Sequence, residues 1–118
     1  MKETTEITGY HAHVYFDPEA RDAADRLRQS LAQHFVVELG RWHDRPVGPH
    51  PKPMYQVKFA PDQFGAIVPW LMLNREGLGI LVHPTTGDDV ADHEERPLWL
   101  GGPLPIDVAF LRRLASRA

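Results

Sequence analysis

The residues of this 118-residue chain best suited to chemistry are its seven histidines, at positions 11, 13, 34, 43, 50, 83 and 93. Neutral imidazole is a ligand for Fe(II), Zn, Ni and Cu, and it exchanges protons near neutral pH. The chain has no cysteine, which excludes disulfides, thiolate metal sites and cysteine nucleophiles. His11 and His13 lie in Gly9-Tyr10-His11-Ala12-His13-Val14-Tyr15-Phe16, an aromatic and β-branched run that reads as a strand. Alternation sets His11, His13 and Tyr15 on one face and Tyr10, Ala12, Val14 and Phe16 on the other. The two imidazoles stand roughly 6 to 7 Å apart at their bases, so they can share a metal if a neighbouring strand brings a third ligand. His50, held between Pro49 and Pro51, has little backbone freedom and suits an aimed ligand or proton donor. The chain has no nucleotide-binding glycine loop, no nucleophile elbow and no HExxH; His93-Glu94-Glu95 lacks the second histidine.

The elements that position these residues follow in order. Residues 1–6 read as a flexible tail and 1–118 as a single domain, with residues 84–118 forming a C-terminal extension. The first strand, near 7–16, stops at Asp17-Pro18, where Asp17 suits an N-cap and Pro18 the first helical position. A helix near 18–33 carries its apolar stripe on Ala20, Ala23 or Ala24, Leu27, Leu31 and Phe35. His34 at its end reads as structural. A second strand near 35–40 leads into residues 41–53, an extended loop with four prolines and one glycine. A third strand near 54–59 puts Tyr55, Val57 and Phe59 on the core side and Met54, Gln56 and Lys58 opposite. A helix near 61–75 buries Phe64, Ile67 or Val68, Leu71 and Met72, with Pro69 marking a kink or a break. A fourth strand near 79–83 ends at Pro84.

This order, β-α-β-β-α-β, is the ferredoxin-like pattern: an antiparallel α+β sheet with both helices on one face and strand order four-one-three-two. Ile80 and Val82 then face the helices, and Leu81 and His83 face the other way. His83 should approach His11 across the central pair, making His11, His13 and His83 a three-imidazole metal site. Beyond it, 89–94 reads as a short helix and 97–102 as an added strand, while 105–114 is open between helix and strand. The extension, a dimer partner or both must cover the sheet's second face, and a homodimeric, barrel-like assembly is expected.

Composition narrows the partners. Thirteen basic and sixteen acidic residues give a formal charge of -3 without a basic run, which argues against nucleic acid. No apolar stretch has the length of a signal peptide core or a membrane span, so no membrane partner and a cytoplasmic location are expected.

The segments Tyr10 to Phe16, Val47-Gly48-Pro49-His50-Pro51, Val82-His83-Pro84-Thr85-Thr86-Gly87-Asp88, Asp92-His93 and Trp99-Leu100-Gly101 together resemble the DOPA 4,5-dioxygenase family of fungal type, including its small bacterial members. The resemblance implies extradiol cleavage of a catechol such as L-DOPA with non-haem iron and O2. It makes His11, His13, His50, His83 and His93 the recurring histidines, leaving out His34 and His43. The usual extradiol site uses two histidines and a carboxylate. No Asp or Glu lies on the derived strand face, so the ligand set stays open and Zn or Ni are alternatives to Fe(II) in the purified protein. His50 and His93 are the candidate acid–base residues. Tyr15, on the imidazole face, and Arg45, Lys52 or Lys58 are candidate contacts for the small aromatic substrate or its carboxylate. Asp88, Asp89 and Asp92 either orient imidazoles or serve as turn and cap residues. Two other classes share such a pocket: a non-catalytic metal- or small-ligand-binding dimer, and a cofactor-free monooxygenase or isomerase.

Overall fold

Alternating apolar residues on three long strands and an apolar stripe on each of two helices dictate a sheet with one helix-covered face. The computed structural model describes residues 6–117 and has that form. In chain order the elements are β1 (Gly9–Tyr15), α1 (Arg21–His34), β2 (Glu38–Leu39), β3 (Met54–Phe59), α2 (Phe64–Asn74), β4 (Gly79–Thr85), α3 (Asp89–Glu94), β5 (Leu98–Leu100) and α4 (Val108–Ser116). The expected tail at 1–6 lies, apart from Glu6, outside the described residues. The five strands stand in the order β2-β3-β1-β4-β5, each antiparallel to its neighbours. Strand β1 is therefore central, flanked by β3 and β4, and β5 is an addition beyond β4. No helix among the described residues is long and apolar enough to cross a membrane.

The main core joins Ala12, Val14, Tyr55, Val57, Phe59, Ile80 and Val82 of the sheet to Ala24, Leu27 and Leu31 of α1 and Ile67, Val68 and Leu71 of α2. Burying such side chains contributes about 1.5–3 kcal/mol each before the entropy of ordering them is counted. The opposite face carries a smaller cluster, Tyr15, Met54 and Leu81, covered by Val47 of the long loop and by Trp99, Leu104 and Ile106. The extension thus covers the second face, and residues 108–116, left open by periodicity, form a helix.

Several local expectations need correction. Asp17 makes no side-chain cap; its carboxylate instead pairs with Lys52 at 3.1 Å, and Pro18 opens a short 3-10 turn before α1. Strand β2 is only two residues long. Its register, Glu38 with Lys58 and Leu39 with Val57, would place Val36 opposite Ala60, where β3 has ended before Pro61, so Val36 is left 80% exposed. Pro69 sits inside α2 without dividing it, and Met72 lies largely outside the core. Pro84 does not stop β4. It pairs opposite Tyr10 at a level where β5, matched only to Ile80, Leu81 and Val82, no longer requires a donor from β4.

Candidate metal and catalytic site

The pleat of β1 and its register with β4 assemble the centre of the site. His11 stands directly opposite His83, and His13 lies two residues further along the same face. One ligand atom from each of His11, His13 and His83 lies within 4.8 Å of the other two. The closest approach is between His13 Nε2 and His83 Nε2, at 3.0 Å. Two nitrogens bound to one ion at about 2.0–2.1 Å sit at a comparable separation. His13 and His83 are buried, and His11 is partly exposed at the rim.

Hydrogen bonds fix the tautomers. His83 Nδ1 lies 2.9 Å from the Pro84 carbonyl, which can only accept, so the Nδ1–H donates and Nε2 carries the lone pair. The contact with His13 is then His13 Nε2–H donating to His83 Nε2. That leaves His13 Nδ1 as a bare nitrogen, buried and without a partner. An unsatisfied buried acceptor costs about 1–3 kcal/mol; with a cation among the three rings the His13 proton would move to Nδ1, and the Nε2 lone pairs of His13 and His83 would both face the ion. Burial, followed by the positive form of His93, pushes His83 down to about 3. Burial and then the facing His50 and His83 hold His13 well below its ordinary range. His11 is lowered by burial and then by Lys58. All three are thus neutral at pH 7, the form that binds a metal. The donor set fits a divalent transition metal.

Two further imidazoles close over this triad. His50 comes from the proline-rich loop, where its N–H bonds the Val47 carbonyl (3.0 Å) and Asp107 N–H bonds the Pro49 carbonyl (2.9 Å). Its ring centroid is 4.3 Å from that of His13, and its Nδ1 is 2.7 Å from the Tyr15 hydroxyl. Burial, then the charges of His93 and His43, lowers it to about 4. His93 comes from α3, its ring 4.1 Å from that of His83 and its Nδ1–H donating to the Asp89 carbonyl at 2.7 Å. Its Nε2 therefore keeps a lone pair.

The acidic residues have other tasks. Asp88 caps α3 by accepting from the Ala91 N–H, and Asp89 orients His93 through its backbone carbonyl. Asp92 is fully buried and accepts from Thr86 N–H, Thr86 Oγ1 and Arg96 at 2.8–2.9 Å. It thereby clips the turn after β4 to α3 and sets His93 beside His83.

The expected substrate contacts are dispersed. Tyr15 is on the imidazole face, but its hydroxyl is engaged with His50. Arg45 is exposed and is not among the residues that line the cavity at His13 and His50. Lys52 is paired with Asp17; Lys58 stands opposite His11 and 4.0 Å from Glu38, in a cleft near β2. A cavity of about 220 Å³ instead brings His13 and His50 together with Arg41, His43, Gln56 and Met54. Arg41 and Gln56 were not singled out from sequence. The signal was Trp42: its ring packs on Phe16 and Tyr55 in the main core, which turns its neighbours Arg41 and His43 to the opposite side. His34 is exposed at the end of α1, bonded to the Ser30 carbonyl and remote from the cluster.

Comparison with known proteins adds an independent line. The Dopa 4,5-dioxygenase family matches residues 10–110. A DOPA 4,5-dioxygenase of Amanita muscaria is 38% identical over 91% of this chain and 51% of its own length. An uncharacterized 21.2 kDa protein of Botryotinia fuckeliana is 39% identical over 83% of this chain and 56% of its own. The chain spans about half the length of these curated relatives. A crystal structure from Nostoc punctiforme, provisionally described as a dioxygenase, superposes with a TM-score of 0.93 at 60% identity, covering 97% of this chain and 99% of that one.

Proposed function

Because the chain belongs to the Dopa 4,5-dioxygenase family, we propose that it opens a catechol ring by extradiol cleavage, with DOPA or a related catechol as substrate and O2 as co-substrate. The observation that carries this reading is the convergence of five histidines on one face of the sheet, three within metal-sharing distance and two above them. His11, His13 and His83 would hold the metal, Fe(II) in the active protein. When bound, it supplies Lewis acidity toward the catechol oxygens and redox chemistry toward dioxygen.

The chain's own residues handle position and protons. His93, with its lone pair at Nε2, is the group that takes a proton from a catechol hydroxyl. His50, steadied by Tyr15, exchanges a proton at its other ring nitrogen. Loop and extension together cover the sheet's second face and limit water at the cluster. A ferredoxin-like topology with homodimer assembly belongs to the same reading, supported by the strand order and the exposed Leu73 and Met72 of α2; a monodisperse monomer in sedimentation velocity would remove the dimer.

The test is oxygen uptake by protein reconstituted anaerobically with Fe(II) and then given O2 and a panel of catechols. Stoichiometric uptake with growth of a visible-absorbing product is expected. His50→Ala and His93→Ala should lower turnover about 10²–10⁴-fold with metal content retained. If either variant loses the metal, that histidine is a ligand instead. If no catechol consumes oxygen while iron is bound, the reading fails.

A further inference from the structure

We infer that Arg41 is a specificity-determining residue of the site, receiving a carboxylate carried on the side chain of the aromatic substrate. The inference rests on the proposed catechol chemistry and places the substrate ring in the cavity lined by His13 and His50. That cavity, about 220 Å³, is smaller than a drug-sized pocket of about 300 Å³ and upward, and so suits a single ring with a short substituent. Its polar wall holds imidazoles, one amide and the Arg41 guanidinium, and no carboxylate. An anion entering it meets no fixed negative charge.

Arg41 is held in place by its backbone. Gly40 N–H bonds the Gln56 carbonyl at 2.7 Å, and His43 and Met54 exchange both backbone hydrogen bonds at 2.9 and 3.1 Å. Gly40 is needed for that approach, since a Cβ there would lie 3.2 Å from both Gln56 Cβ and its carbonyl oxygen. Between these two anchors Trp42 turns into the main core, its ring 5.5 Å from Tyr55 and its Nε1–H donating to Asp44. Arg41 is thereby committed to the cavity side.

Arg45, on the same loop, is exposed and does not line this cavity, and several other basic side chains nearby are engaged. Lys52 is bound to Asp17, Arg96 to Asp92, Arg21 to Asp44 and Lys58 lies beside Glu38. Arg41 makes no ion pair or hydrogen bond among the described residues. A guanidinium stays charged at all working pH values and offers a planar fork that matches a carboxylate with two parallel N–H bonds.

The test compares two ligands that differ only by the acid group, 3-(3,4-dihydroxyphenyl)propanoate and 4-ethylcatechol. Each is titrated calorimetrically and anaerobically into metal-loaded wild type, Arg41→Gln and Arg41→Lys. The wild type should bind the acid at least about tenfold more tightly. Arg41→Gln should abolish that preference while its affinity for 4-ethylcatechol stays within about threefold of wild type, and Arg41→Lys should keep part of it. The inference is overturned if the wild type shows no preference, if the preference survives in Arg41→Gln, or if that variant weakens both ligands equally. Oxygen uptake separates this from the functional reading. Turnover without an Arg41-dependent preference sinks the inference alone, an Arg41-dependent preference without turnover sinks the dioxygenase reading alone, and binding of neither ligand sinks both.

Discussion

On the helix side of the sheet, Ala12, Val14, Val57, Ile80 and Val82 meet α1 and α2 through apolar contact. The intervening residues of the same strands, His11, His13 and His83, meet loops, a short helix and one another. The helix face is apolar apart from Arg28, whose guanidinium lies over the Tyr55 ring with one nitrogen buried and without a hydrogen-bond partner. The other face buries imidazoles whose neutrality is enforced by desolvation and by mutual repulsion of their charged forms. The difference teaches that a period-two pattern can encode stability and chemistry in one strand, because each side chain belongs to only one face.

The largest effect should come from exchanging the two kinds of residue. His83→Ala should reduce metal content to near zero and abolish turnover, with at most a modest change in melting temperature. Ile80→Ala, three residues away on the other face, should cost about 2–5 kcal/mol of stability while metal stoichiometry per folded chain is kept. Metal analysis and thermal melts of both variants check this; an Ile80→Ala protein that stays folded yet loses its metal would erase the distinction between the faces.

Acidification of the metal-free protein should come next. His50 and His83 have folded pKa values lowered to about 4 and about 3 from an unfolded value near 6.5. The unfolded chain therefore binds more protons between those limits, so stability rises with pH from about 3 to about 6.5 and levels off above. Denaturant titrations across that window should show the rise, and His50→Ala should flatten part of it. A curve flat below pH 6.5 would mean the imidazoles are not buried in neutral form.

The smallest effects should come from two buried tyrosines, one on each face. Tyr55 donates to the Ala24 carbonyl at 2.8 Å under the helices, and Tyr15 meets His50 at 2.7 Å. Removing either hydroxyl with Phe should cost about 0.5–1.5 kcal/mol. Only Tyr15→Phe should alter turnover, since only its partner handles protons. Equal kinetics in the two variants would detach Tyr15 from the chemistry.

Much of this contrast was legible in the residues themselves. Alternation in β1, β3 and β4 placed both faces, and the β-α-β-β-α-β order put His83 opposite His11. What escaped was set by contacts distant in sequence. The length of β2 depended on where β3 ends, the tolerance of Pro84 on where β5 stops, and the task of Asp17 on Lys52. In the long loop no periodicity connects Arg41 with His13; their proximity comes from Gly40 bonding Gln56 and from Trp42 entering the core. Asp92 likewise declares itself only through Thr86 and Arg96.

The central claim, that the imidazole face performs ring cleavage by dioxygen, is tested most directly by isotope labelling. Fe(II)-loaded protein and DOPA are mixed under 18O2, and the product is reduced immediately to prevent exchange with water before its mass is read. The account predicts a ring-opened product that has gained both atoms of one dioxygen molecule. A product carrying a single labelled oxygen, or unchanged DOPA with iron still bound, would contradict it.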